Sequence, residues 1–179
     1  MPKVSVCIPC YKNVHFLKRC LASVLSQTYK DYELIITDDS PNNDVENYIA
    51  TLDKNLPIRY YKNQPSLGSP KNWNYCISLA KGEYIKLLHY DDELAQPDVL
   101  EKMEAIFDEN NSTNFVIAGS VAIAENEKTI FIANEKIIED VKENPAILIA
   151  GNVLGAPSAT MHRKTNLTYD EQFKWVVDF

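Results

Sequence analysis

Asp91 and Asp92 stand side by side just past Glu83–Leu88, a run whose centre reads as a buried strand. Paired hard oxygen ligands in such a place suit magnesium or manganese, with positions left open for phosphate oxygens. An isolated Asp-Asp is more often a helix cap or a solvated turn, and a helix is expected from about Pro97. Two further polar clusters shift that balance. Pro9-Cys10-Tyr11 follows the run Val4–Ile8, and Asp38-Asp39-Ser40 follows Glu33–Thr37. At such an edge Tyr11 can stack on a nucleobase, and Asp39 can accept a hydrogen bond from a base N–H or a ribose hydroxyl. Lys71, in the first turn of an expected helix, opposes the helix dipole, which suggests a role touching a base or a diphosphate. Each has a plain reading as well: a packing aromatic, a turn, a solvated charge.

These clusters gain force from the elements that carry them. Val4–Ile8, Glu33–Thr37, Ile58–Tyr61 and Glu83–Leu88 read as strands. Between them, Leu17, Cys20, Leu21, Val24 and Leu25 recur at helical spacing, as do Val45, Tyr48, Ile49 and Leu52. Ser69 as N-cap and Pro70 at the first helical position would open a third helix carrying Trp73, Cys76, Ile77 and Ala80 inward. Val99–Phe107 gives a fourth helix and Asn114–Ala124 a fifth strand. Repeated strand–helix units imply an α/β fold, an open and mostly parallel sheet with helices on both faces. In such sheets ligands bind beyond the carboxyl ends of the strands, which is where all three polar clusters fall. After about residue 125 the rhythm breaks, with short strands expected at Ile130–Ile132 and Ser158–His162 and a short helix at Pro145–Ala150. One domain is expected over 1–179, with 1–110 forming a nucleotide-binding part and 111–179 an acceptor-side part whose pattern stops as a truncated one would.

Bulk properties narrow the function. The 179 residues are 45% hydrophobic and 24% charged, as in folded globular chains rather than disordered ones. Net charge is −7, and with no basic stripe a nucleic-acid partner is not expected. An acidic protein that takes a diphosphate needs a counter-charge, and a bound cation supplies one. No apolar run has the roughly 18 residues of a membrane span, and no signal peptide is read at the start, so the expected location is cytoplasmic. Cys7, Cys10, Cys20 and Cys76 read as buried free thiols, since Cys7-x-x-Cys10 lacks a second pair.

Taken in order, these segments resemble glycosyltransferase family 2, whose fold is of the GT-A type. The resemblance is carried by Val4–Tyr11 with Asn13, Leu25–Tyr29, Tyr32–Ser40, Leu67-Gly68 through Lys71-Asn72, Ala80–Ile85, and Leu88–Asp92 with Pro97. It implies that Pro9 and Tyr11 line a base pocket, Asp39 bonds the base, Lys71 touches base or diphosphate, Asp91 binds ribose or metal, and Asp92 binds the metal. Lys71 stands where an arginine is commoner. His89 stands where the family has the first acid of an Asp-x-Asp-Asp pattern. The family's catalytic base, an acid near the end of the domain, falls on Asp178, with Asp170 and Glu171 as competitors; His162 is read as structural.

What the resemblance implies is an inverting transferase that moves a sugar from a nucleotide-diphosphate sugar, UDP-sugars favoured, to an acceptor hydroxyl. The acceptor would be a glycan or lipid-linked glycan in cell-surface polysaccharide synthesis, the cofactor Mn2+ or Mg2+. Peripheral association with the inner face of the membrane would come through parts beyond this chain. Rival readings are a sugar nucleotidyltransferase, a receiver-like domain, and a nucleotide-sugar-binding module without turnover. The first lacks its glycine-rich basic loop after the first strand, and the second its acid pair there.

Overall fold

Alternation along the strands decides the architecture. The computed structural model describes residues 1–124 and 127–172. Strands β1 (Val4–Cys10), β2 (Tyr32–Asp38), β3 (Ile58–Lys62) and β4 (Tyr84–Leu87) lie parallel. Strand β8 (Thr160–Arg163) runs antiparallel to β4 and to β5 (Phe115–Ile117), giving the six-stranded order β3-β2-β1-β4-β8-β5. Because successive side chains point to opposite faces, β1 and β2 are apolar on both. Val4, Val6, Ile8, Leu34 and Ile36 meet Leu17, Leu21 and Val24 of α1 (Val14–Leu25), Val45 of α2 (Asp44–Ala50), and Leu100, Met103 and Phe107 of α4 (Val99–Glu109). Cys7, Ile35, Ile85 and Leu87 meet Cys76 and Trp73 of α3 (Lys71–Ser78) on the other face. Helices on both faces are thus as the sequence implies.

The same parity separates the cysteines. Cys7 packs on the α3 face and Cys10 on the opposite one, so they cannot share a bridge or an ion; all four thiols are buried and free. Burial pushes the Cys10 and Cys20 thiols far up, which keeps them protonated and inert.

Three expectations are corrected. The run 114–124 is not one strand. It turns at Ala118-Gly119, so that β5 joins the main sheet while β6 (Ser120–Ala124) pairs with β7 (Glu127–Phe131) in a separate hairpin. A Cβ at Gly119 would lie 3.2 Å from Ile132, so glycine permits that close approach. Helix α3 begins at Lys71 with Pro70 in the cap position and no side-chain cap, rather than with Ser69 as cap. Helix α5 (Glu135–Glu143) lies where no regular element is expected; Asn134 caps it by accepting the Ile137 N–H at 2.9 Å. Helix α6 (Ile147–Ala150) and a 3-10 turn at Pro157–Ala159 lead into β8.

At the amino ends of the strands one carboxylate ties four elements together. Glu33 is 7% exposed and accepts the Ser5 hydroxyl at 2.8 Å, the Lys81 N–H at 2.7 Å and the Arg59 guanidinium at 2.7 Å. Burial alone would raise its pKa, but these donors outweigh it and hold the carboxyl below its ordinary 4.5. The folded pKa being the lower one, this stabilisation is present above about pH 4.5 and is lost as pH falls through the depressed value. Glu33→Gln is expected to cost about 1–3 kcal/mol at pH 7. In urea titrations the gap from wild type should narrow as pH falls below about 4.5; a gap that stays constant would exclude Glu33 as the acid-sensitive tie. Beside it, a Cβ on Gly82 would lie 2.7 Å from the Ser5 amide nitrogen, a backbone atom that cannot swing away. Gly82→Ala should therefore cost about 1–3 kcal/mol, seen as a lower urea midpoint with an unchanged slope.

Candidate functional site

The carboxyl ends of β1, β2 and β4 open into a cleft of about 510 Å³. Its lining includes Pro9 at the end of β1 and Tyr11 after it, Asp39 after β2, Ser66, Gly68 and Ser69 before α3, Asn72 and Trp73 on α3, and His89, Tyr90 and Asp91 after β4. Pro9, Tyr11, Asp39 and Asp91, each singled out in the sequence, therefore share one cavity.

Asp38 and Asp39 diverge because they are neighbours on a strand end. Asp38 is fully buried and accepts from the Tyr60 hydroxyl at 2.7 Å, the Lys62 ammonium at 3.0 Å and the Ser40 N–H at 2.8 Å. It holds the β2–β3 end together. Asp39 points into the cleft wall, 4% exposed. Its Oδ1 accepts from Asn63 Nδ2 at 2.6 Å and from the Leu67 N–H at 3.1 Å, and its Oδ2 accepts the Gly68 N–H at 2.6 Å. A carboxylate has about four acceptor positions, so one on Oδ2 stays available to a ligand N–H. Asp39 thus shapes the 63–68 loop as well as facing the cavity.

Asn63 and Asn72 are buried polar groups that the sequence does not flag. Asn63 Nδ2 also donates to Asn72 Oδ1 at 2.9 Å, and Asn72 Nδ2 donates to the Thr37 carbonyl at 3.2 Å. They fix the loop to the first turn of α3. Opposite, Tyr11 is 47% exposed, its ring covered by the Lys12 ammonium at 4.7 Å. Lys12 and Asn13 both have positive φ, 58° and 36°, and the Lys12 N–H donates to Ser40 Oγ at 2.6 Å. Consecutive left-handed residues cost energy and turn the chain sharply below Tyr11.

Lys71 is not brought into the cleft lining. It is exposed at the start of α3, with its ammonium 3.7 Å from Glu171. Glu171 also accepts from Asn74 at 3.3 Å, and Asp170 accepts the Gln172 N–H at 2.9 Å. Asp178 lies outside the described residues. His162 sits on β8, its ring stacked with Phe115 at 6.5 Å, in keeping with a structural role.

The loop after β4 concentrates ligand atoms. One ligand atom each of His89, Asp91 and Asp92 lies within 4.8 Å of the others. The Asp92 N–H donates to the His89 carbonyl at 3.0 Å, folding the acid back over the histidine. The His89 N–H donates to Ser158 Oγ at 2.9 Å, and the ring lies against Trp73 with centroids 4.6 Å apart. Its Nε2 is buried and has no hydrogen-bond partner among the described residues. An unpartnered buried nitrogen costs about 1–3 kcal/mol, and ion coordination is one way to recover it. Two carboxylates and an imidazole are a donor set that fits a divalent cation. Helix α1 holds the loop in place. Ser23 Oγ accepts the Leu94 N–H at 3.0 Å; Gln27, 1% exposed, donates to the Gln96 carbonyl at 2.7 Å and accepts the Leu100 N–H at 3.0 Å. Behind it Lys86 is fully buried and donates to the carbonyls of Ser158 and Thr160. Burial draws its ammonium down to about 7, against the opposing pull of Asp92.

The fold has known counterparts. TarS residues 1–349 from S. aureus, solved in complex with UDP, superposes with a TM-score of 0.74 at 17% identity, over 98% of this chain and 52% of that one. The Pyrobaculum calidifontis mannosyltransferase PcManGT, solved with GDP-Man and Mn2+, gives 0.60 at 17% identity, over 65% of this chain and 35% of that one. These likenesses establish a GT-A-type fold. In sequence, the chain is 34% identical over 96 residues to the Campylobacter jejuni GalNAc(5)-diNAcBac-PP-undecaprenol beta-1,3-glucosyltransferase, covering 52% of this chain and 31% of that protein. The curated relatives it matches run longer, this chain spanning from 10% to 57% of their lengths. The family model for glycosyl transferase family 2 matches residues 5–175, nearly the whole length, and the chain accordingly belongs to that family.

Proposed function

We propose that the chain is the nucleotide-sugar-binding, catalytic part of a metal-dependent, inverting glycosyltransferase acting in cell-surface polysaccharide synthesis. The observation that carries this reading is the convergence of Tyr11, Asp39 and the His89–Asp91–Asp92 cluster on one edge of the sheet. Tyr11 is exposed enough to stack on a base, and the open position on Asp39 Oδ2 suits a base N–H. Pro9 lines the same cleft. Asp91 is exposed on the rim, where it can reach ribose or cation, and Asp92 is half-buried beside it. A divalent ion held there would offset the charge that grows on the departing diphosphate. A counter-charge is needed in a chain of net charge −7, whose cleft has neither lysine nor arginine among its described lining residues. Lys71 reaches the donor only by exchanging Glu171 for phosphate, a move its exposed position permits.

In this mechanism a carboxylate takes the proton of the acceptor hydroxyl as that oxygen attacks the anomeric carbon from the face opposite the diphosphate. Asp178 is our assignment for that base. The donor favoured is a UDP-sugar, a choice supported by the UDP and UDP-GlcNAc complexes of TarS. The acceptor proposed is a glycan or lipid-linked glycan, in keeping with the name of the C. jejuni relative; the location proposed is cytoplasmic, at the inner face of the membrane. No helix among the described residues is long and apolar enough to cross a membrane; the peripheral membrane association proposed would come through parts beyond this chain.

A thermal-shift panel of UDP-, GDP-, dTDP- and CDP-sugars, each with and without Mn2+, tests base and ion together. One nucleotide should raise the Tm only when the ion is present. At a hundredfold excess over its Kd the stabilisation is about 2.7 kcal/mol. Stabilisation indifferent to nucleotide and ion would overturn the reading. Asp92→Ala in the full-length protein should lower transfer by about 10²–10³-fold, the scale of a lost electrostatic stabiliser, with an unchanged circular dichroism spectrum. Undiminished turnover in that variant would remove Asp92 from the chemistry.

A further inference from the structure

We infer that His89 is itself a ligand of the divalent cation, supplying an imidazole nitrogen beside the Asp91 and Asp92 carboxylates, so that the site prefers manganese or cobalt to magnesium. The inference rests on the metal-dependent reading above and adds to it a donor and a selectivity.

Three observations converge on the ring. A His89 nitrogen and one oxygen from each acid lie within 4.8 Å of one another, a spread that a modest closure around an ion would complete. Its Nε2 is shielded from solvent without a hydrogen-bond partner among the described residues. The ring is also held rather than loose. The His89 N–H is anchored on Ser158 Oγ at 2.9 Å, the carbonyl receives the Asp92 N–H at 3.0 Å, and Trp73 lies against one face. A purely packing role against Trp73 would explain the stacking but not the orphaned nitrogen; an apolar side chain would serve there at lower cost.

The selectivity follows from donor chemistry. Magnesium demands near-ideal octahedral oxygen coordination and gives up water reluctantly. A nitrogen donor in place of a carboxylate oxygen lowers the negative charge of the site by one and favours first-row transition metals over magnesium. Cobalt should bind more tightly than manganese, since affinity at such N/O sites rises along that series.

The test reads the ion directly. Mn2+ is titrated into the wild-type protein and into His89→Ala, His89→Asp and Asp92→Ala, with and without UDP, and followed by electron paramagnetic resonance. Electron spin-echo modulation reports any nitrogen coupled to the metal. The wild type should show nitrogen modulation, and His89→Asp should bind Mn2+ without it. His89→Ala should weaken Mn2+ by at least the roughly 10–100-fold that losing even an outer-shell partner costs. Competition with Mg2+ should show His89→Asp shifted towards magnesium. Circular dichroism confirms that each variant is folded, and His89→Asp keeps the test open should the alanine variant fail to fold. Mn2+ bound by the wild type without nitrogen modulation, with His89→Ala unaffected and Asp92→Ala deficient, would overturn the His89 assignment and leave the cation reading intact. A wild-type protein that takes up no Mn2+ even with UDP would overturn both.

Discussion

The cleft depends on the parallel register of β1 with its two neighbours. Cys10 pairs with Asp38 on one side and Cys7 with Leu87 on the other, so the three strands finish close together. Residues placed just beyond those ends have no strand partner of their own and can face a ligand. A slip of one residue in β2 would exchange Asp38 and Asp39 between the two faces, because the side-chain period is two. The buried carboxylate would then face the cavity, and the one with an open acceptor position would be sealed beneath α1 and α2. The apolar residues on both faces of β2 oppose such a slip. Leu34 and Ile36 fit one cluster and Ile35 the other, and a shift would force each into the wrong one.

Acids in this protein serve two purposes, told apart by where they face as well as by the donors they meet. Glu33 at the amino ends and Asp38 at the carboxyl ends are each met by three donors, and both are buried. Neither is among the residues lining the cleft, and their work is to join strands. Asp39 is intermediate, with three donors and a face on the cavity. Asp91 and Asp92 are more exposed and gather beside an imidazole, with the buried Lys86 ammonium close enough to feel Asp92. Like charges brought together repel, and a cation bound between them would reverse the sign of that interaction. Residue type alone does not separate these roles; position along the strand and the supply of local N–H groups do.

This is also what governs how far the sequence could be read. Strands and helices from Val4 to Glu109 were legible because their apolar periods are strong and each element is buried on a definite face. Pro9, Tyr11, Asp39 and Asp91 were legible as a group because strand ends in a parallel sheet meet at one edge. The 63–70 loop was not, since its shape is set by hydrogen bonds to Asp39 from residues 24 to 29 positions away, which no local pattern encodes. Asn63 and Asn72 look like ordinary surface amides until that loop closes on them. Lys71 was read towards the cleft from its place against the helix dipole, whereas Glu171, a hundred residues on, offers it a partner at the surface. The division of 114–124 into two strands was hidden because its β-forming residues are continuous and only Gly119 marks the turn. Helix α5 carries a readable cap at Asn134, but it has no buried residue, and burial is what makes a period conspicuous.

The least regular part of the chain nevertheless completes the site. Ser158, in the turn before β8, receives the His89 N–H through its hydroxyl, and its carbonyl receives the buried Lys86 ammonium. That turn therefore fixes the backbone at the start of the His89–Asp92 loop from one side, while Ser23 and Gln27 of the α1 region fix its continuation from the other. A hydrogen-bonded amide at each end leaves the loop backbone little freedom, so only a modest closure of its side chains would be needed around an ion. Preorganisation of this kind is what lets a small number of polar groups act strongly, because no reorganisation is needed when charge develops. Residues 157–163 consequently belong to the architecture of the cleft as much as the strands of the first hundred residues do, although their own pattern announces only a short strand.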